Sequence, residues 1–347
     1  MESTLQRVPR PLKLELQPVK FLILYSAALA SAFLTALLSL PLWIKFCRRI
    51  GLVDDPGHRK IHDEAMPLAG GLTVMTALAA PTILAVLMLW LSQRVAIPAL
   101  DSHTVSLLTY GINKRSFELA AILLGAVGML VVGLWDDKNE FRAGKKFFWQ
   151  FTIAALVAAS GTRITLFVPN VVFSYAITIL WILTVINAFN FMDNMNGLCS
   201  GLGAIGAFYF ALSAAAAGQY LVALIAFLTC GALLGFLPYN FPRARSFLGD
   251  SGSHLVGYLL AVLAILPHFY TPKHPHALAV LSPLLILAVP LGDMAWVVLL
   301  RWRMGKPFYV GDNNHLSHRL VKAGLSRTKA VLLIWLLAAI LGALAFV

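Results

Sequence analysis

The chain has 347 residues, 59% of them hydrophobic and only 12% charged, and its mean hydropathy is +0.81. Soluble domains carry about 25% charged residues, so an ordinary soluble enzyme is excluded. A net charge of +12 without a basic domain outside the apolar stretches points to anionic headgroups and phosphorylated ligands, not to nucleic acid.

Residues 1–20, with Arg7, Arg10, Lys13 and Lys20, form an N-terminal tail on the outer side or along the interface. The tail does not resemble a cleaved leader, because the first apolar stretch is too long and lacks a small-residue cleavage site. Residues 21–347 read as one transmembrane domain, an all-α polytopic membrane protein of about ten transmembrane helices, each needing about 20 apolar residues. The stretches fall at about 21–44, 70–91, 117–135, 147–160, 172–190, 197–217, 219–237, 253–270, 277–300 and 329–347. The fourth is short, and only Gly218 separates the sixth from the seventh. If each stretch crosses once, the loops after the odd-numbered stretches share one side. With their borders they hold 18 of the 27 Lys and Arg residues. Basic loops stay in the cytoplasm, so that face is predicted to be cytoplasmic, with both termini outward. Cys47, Cys199 and Cys230 follow no metal spacing and read as free thiols.

The same loops carry nearly all the polar chemistry. Asp136 and Asp137 close the third stretch. Two adjacent carboxylates repel, so a site that keeps both supplies a cation or a proton; a solvated helix end is the plain alternative. Lys145 and Lys146 follow as partners for those carboxylates or for a phosphate. Asn187, Asn190, Asp193, Asn194 and Asn196 crowd an apolar context, and Asn187, Asn190 and Asn194 share one helical face. Polar groups at membrane depth are costly and line cavities or mark function. Gly249-Asp250-Ser251-Gly252 allows close backbone approach to a ligand, although Asp250 also suits a simple helix cap. Asp250 with Asn190 makes an oxygen pair suited to Mg2+.

In the last loop, His315 and His318 stand beside Arg319 and Lys322. No Cys or Glu completes a zinc set there, so the loop reads as anion-binding, with a solvated connector as the alternative. Asp293 is either catalytic support or a buried, paired polar group. His103, His254, His268, His274 and His276 are isolated or on the outer side and receive no role.

Taken in order, these loops resemble the polyprenyl-phosphate N-acetylhexosamine-1-phosphate transferases, of glycosyltransferase 4 type. Gly51-Leu52-Val53-Asp54-Asp55-Pro56, Arg59-Lys60-Ile61-His62 and Pro67-Leu68-Ala69-Gly70-Gly71 look like the WecA/TagO branch, with MraY a further relation. The resemblance covers about residues 20 to 347. It implies catalytic roles for Asp136, Asp137, Asp193 and Asp250, and Mg2+ on Asn190 and Asp250, with Mn2+ as the alternative ion. It implies substrate contacts from Arg59, Lys60, His62, Lys146, Asn187, Asn194, Asn196, His315, His318 and Arg319. Asn194 and Asn196 stand where the family usually has Gly and Asp, Ser317 where it has His, and Ala65 where it has Pro. Sugar and nucleotide preference hang on the first three.

The reaction implied is transfer of HexNAc-1-phosphate, first of all GlcNAc-1-phosphate, from a UDP-N-acetylhexosamine to undecaprenyl or another polyprenyl phosphate. UMP leaves, and the product opens a cell-envelope polysaccharide pathway. The implied setting is multi-pass in a bacterial inner membrane, with the active site at the cytoplasmic face, membrane lipids as partners and a homodimer left open. A multispan transporter and a catalytically weak relative are the competing readings. A transporter places its sites near the midplane, often between internal repeats, whereas these motifs gather at one face.

Overall fold

The computed structural model describes residues 18–55, 65–94, 102–165, 168–267, 280–307, 309–310 and 312–346. Arg59, Lys60, His62 and most of the N-terminal tail lie outside the described residues. The helices in chain order are α1 (Pro18–Ile50), α2 (Gly70–Ser92), α3 (Ser102–Lys114), α4 (Ser116–Asn139), α5 (Ala143–Ala159), α6 (Val171–Met192) and α7 (Leu198–Ala216). They continue with α8 (Tyr220–Asn240), α9 (Gly249–Ile265), α10 (Ser282–Ile286), α11 (Ala288–Arg303), α12 (Leu316–Lys322) and α13 (Arg327–Leu344). A small antiparallel ladder, β1 (Val53–Asp54) with β2 (Met66–Pro67), pairs Val53 with Pro67 and Asp54 with Met66.

The chain is an all-α polytopic membrane protein, with seven candidate spans among the described residues in place of the expected ten. The helices long and apolar enough to cross a bilayer are α1, α2, α4, α6, α7, α8 and α13. The other three stretches give shorter helices. α5 stops after 17 residues, where Gly161 takes φ +112°. α9 also has 17 residues: it begins at Gly249, with φ +72°, and ends at Ile265, just before Pro267. The ninth stretch breaks at Leu287 into α10 and α11, because Pro290 has no N–H to give Ile286 in a continuous helix. The sixth and seventh stretches do separate at Gly218, which supplies the turn with φ +70°. α3 was not anticipated: it lies in a loop and buries Leu107 and Leu108 beneath a polar face.

α9 is the hub. Ser251 to Ala264 is buried throughout, and α2, α4, α6, α7 and α8 all pack on it. A helix that is apolar all round belongs in the middle of a bundle. By contrast Leu38, Ile83, Leu124, Val172 and Leu336 are exposed on the outer helices, the surface a hydrocarbon solvent covers. Small residues let the central helices close in: a Cβ at Gly133 would overlap Ser251, and one at Gly257 would overlap Ile186. That contact brings the C-terminal ends of α4 and α6 against the N-terminus of α9. A loop completes the arrangement, with Phe247 N–H donating to Pro67 O at 3.0 Å and Ser246 Oγ to the same carbonyl at 2.8 Å. The Pro67-to-Gly71 segment is thereby stitched beneath the start of α9.

Candidate active site

Consecutive residues on a helix point about 100° apart, so Asp136 and Asp137 face different neighbours. Asp136 is buried; Oδ2 lies 2.9 Å from Lys146 Nζ on α5, and Oδ1 accepts the Phe141 N–H at 2.7 Å. Asp137 turns to α9, accepting the Asp250 N–H at 2.7 Å and the Ser251 N–H at 3.1 Å. Leu248 at the α9 N-cap offers no side-chain cap, so Asp137 fills that role from another helix.

Asp250 meets the same lysine, with Oδ2 3.2 Å from Lys146 Nζ. Asn190, at the end of α6, donates Nδ2 to Asp250 Oδ1 and to Ser253 Oγ, while its Oδ1 accepts from Lys146 at 3.3 Å. Three helix ends thus meet around one ammonium group. Asn187 stands further back, with its amide on Leu183 O and Gln150 Oε1 at 2.8 and 3.0 Å. Gln150 in turn reaches His254 Nε2 at 3.2 Å.

Ligand atoms of Asp136, Asp250 and His254 lie within 4.8 Å of one another, the spacing of a cation site. The sequence pointed to Asn190 with Asp250; the structure adds Asp136, and His254, which sequence reading left without a role. The donor set fits a divalent ion: two carboxylates suit Mg2+, and His254 Nδ1 is a buried nitrogen with no hydrogen-bond partner among the described residues. His254 was legible in one respect, since it follows Asp250 by four residues on the same helical face.

An open cavity of about 1370 Å³ collects these groups. Asp54, Asp136, Asp137, Asp193 and Asp250 line its acidic side, with Lys146, Asn190, Asn194 and Asn196 among them. His318, Lys322 and Arg327 line it from α12 and α13. Burial, then the charges of Asp250 and Asp137, push the Asp193 carboxyl up to about 8, while the Gly249 N–H pulls it back. Burial and the positive neighbours His315, Lys322 and Arg327 hold His318 below the ordinary histidine value.

Of the remaining predicted residues, His315 and Arg319 stand outside the cavity lining. His315 is buried and its Nδ1 lies 2.6 Å from Asp293, which also accepts the Leu316 N–H at 2.6 Å. Asp293 is therefore a buried, paired polar group. Arg319 is exposed, with its guanidinium 5.0 Å from the Trp296 ring, outside the cavity lining. Asn196 donates to Pro242 O at 3.2 Å. Sequence reading passed over Arg301, which is buried, 3.0 Å from Asp312 and over the Phe191 ring. Burial raises the Asp312 carboxyl, but its bonds to Arg301 and the Asn314 N–H win and hold it below the usual range.

Residues 119–268 match glycosyl transferase family 4. The chain is 31% identical over 314 residues to the "Probable undecaprenyl-phosphate N-acetylglucosaminyl 1-phosphate transferase" of Bacillus subtilis, covering 88% of this chain and 80% of that protein. It is 33% identical over 316 residues to the "Decaprenyl-phosphate N-acetylglucosaminephosphotransferase" of Mycobacterium tuberculosis, covering 83% and 73%. To the "Undecaprenyl-phosphate alpha-N-acetylglucosaminyl 1-phosphate transferase" of Escherichia coli K12 it is 27% identical over 337 residues, covering 93% and 83%.

Proposed function

The chain belongs to glycosyl transferase family 4, the polyprenyl-phosphate HexNAc-1-phosphate transferases, and from that premise we propose that it transfers GlcNAc-1-phosphate from UDP-GlcNAc to polyprenyl phosphate. One observation carries the reading: carboxylates from α4 and α9 and an amide from α6 converge on Lys146 in an open cavity of a membrane protein. The cavity faces the cytoplasm of a bacterial inner membrane, where the UDP-sugar is made and where most Lys and Arg residues of the loops fall.

A prenyl phosphate oxygen attacks the sugar-bearing phosphorus; that P–O bond forms as the bond to UMP breaks, and UMP departs with the electron pair. A phosphate monoester has a second pKa of about 6, so the nucleophile is largely ionised near neutrality without a strong base. The residues then have a positioning and charge-balancing task. Asp136, Asp250 and His254, with Asn190 beside them, would hold a divalent ion. Bound there, Mg2+ supplies charge neutralisation for the diphosphate. Lys146 brings a positive charge to the same point, and Asp137 fixes the first turn of α9 so that Asp250 faces Asn190. Burial and its acidic neighbours favour the protonated form of Asp193, which can donate a hydrogen bond to an anionic donor. Lys322 and Arg327 supply positive charge from the same cavity lining.

The test is UMP release by purified protein in a screen of UDP-HexNAc donors. Release that requires both a UDP-sugar and polyprenyl phosphate, and that is lost in Asp250→Asn, is the expected result. Release without the lipid phosphate, or undiminished in that variant, contradicts the assignment.

A further inference from the structure

Asn194 and Ser317 are far apart in sequence but meet in space: the Ser317 hydroxyl donates to Asn194 Oδ1 at 2.6 Å. Asn194 is itself anchored, with Nδ2 donating to Phe191 O at 2.6 Å. Ser317 is 1% exposed, so it does not reach a ligand in the cavity directly. The residues on either side of this bond do reach it: Asn194 and His318 both line the cavity. α12 has only seven residues, too few to hold a helix without outside support. Its first turn is held from α11 by Asp293, through His315 and the Leu316 N–H. Asn194 holds it from the other side, through Ser317, and ties it to the turn that carries Asp193.

We propose that Asn194 and Ser317 form a positioning pair that sets where His318 stands in the cavity lining relative to the turn that carries Asp193, and so how tightly the sugar-phosphate end of the donor is held. The identity of that donor rests on the transfer reaction proposed above; the geometry of the pair does not. Removing the Ser317 hydroxyl leaves the Asn194 carbonyl without its partner and loosens the first turn of α12. Removing the Asn194 amide orphans a buried hydroxyl and loosens the same turn. Because each loss breaks one shared link, the second adds little to the first. The two positions where this chain departs from the family pattern on facing segments therefore act as one feature.

The experiment compares Ser317→Ala, Asn194→Ala and the double variant as full-length protein in one detergent. Hydrogen exchange of residues 315–322 is read alongside kinetics with UDP-GlcNAc and polyprenyl phosphate varied in turn. Each single variant is expected to exchange faster in that segment and to raise the donor KM roughly 3- to 10-fold, the value of one neutral hydrogen bond. The acceptor KM stays put, and the double variant matches the singles. Unchanged exchange in both single variants overturns the pair whatever the activity. Faster exchange with equal effects on donor and acceptor, or with effects that multiply in the double variant, overturns the positioning role. If the parent releases no UMP from any donor, the proposed reaction falls, and the exchange of the three variants still decides the link.

Discussion

Lys146→Met tests the centre of the site. The side chain keeps its length and loses the charge that Asp136 and Asp250 share at 2.9 and 3.2 Å. Asp136, with a side chain only 5% exposed, then keeps the Phe141 N–H but loses its ion partner. Removing one member of a buried pair costs about 3–5 kcal/mol, because the other charge is left uncompensated. Asp250 retains the Asn190 amide and suffers less. At about 2–4 °C per kcal/mol, the thermal midpoint should fall by roughly 6–20 °C. Asp136→Asn added to Lys146→Met neutralises the stranded carboxylate while its amide oxygen still accepts the Phe141 N–H. The double variant should regain most of the stability, since replacing both members of a buried pair is close to neutral, and should remain inactive. Tryptophan-fluorescence melting of the detergent-solubilised protein reads both. A single variant within about 2 °C of the parent, or a double variant less stable than the single, would refute the buried-pair reasoning.

Asp137→Ala strips the first turn of α9 of two acceptors and should lower the melting midpoint and abolish UMP release together; a loss of turnover with no loss of stability would mean that Asp137 acts on substrate instead. Because the Asp193 carboxyl is raised to about 8, the folded chain holds that proton more tightly than the unfolded chain. Its contribution to stability therefore declines as pH rises from about 4 to about 8 and is level above, so Asp193→Asn should flatten that decline in a pH series of melting curves. His318→Ala should cut donor kcat/KM roughly 10- to 150-fold, whereas Arg319→Ala should leave it within about twofold. The reverse ranking would move the donor away from this cavity wall. Cysteine placed at Glu140 or Val310 should resist an impermeant thiol reagent in intact cells and react once the membrane is opened; Cys47, Cys199 and Cys230 are buried and add little background. Ready labelling from outside would invert the topology.

Much of the site was visible in the chain because membrane sequences leave few polar residues unexplained. Asp136, Asp137, Asp193, Asp250, Lys146 and Asn190 stood out against apolar neighbours and share one cavity. What was not visible is division of labour. Tandem aspartates look equivalent in a string, and only the helical turn between them sends Asp136 to a lysine and Asp137 to a helix N-terminus. Gln150 and His254 were passed over because the bonds that join them to each other and to Asn187 run between three different helices. Hydropathy likewise registers apolar content but not where helices break, as at Leu287, or stop, as α9 does at Ile265 before Pro267.

In the proposed transfer the new bond is made to phosphorus and the sugar keeps its phosphate. UDP-GlcNAc labelled with 32P in the sugar-linked phosphate separates this from simple sugar transfer. With polyprenyl phosphate and Mg2+, the label should move into the organic phase with the lipid as unlabelled UMP appears in the aqueous phase. Label that stays in water as UDP while the sugar enters the lipid would contradict the account.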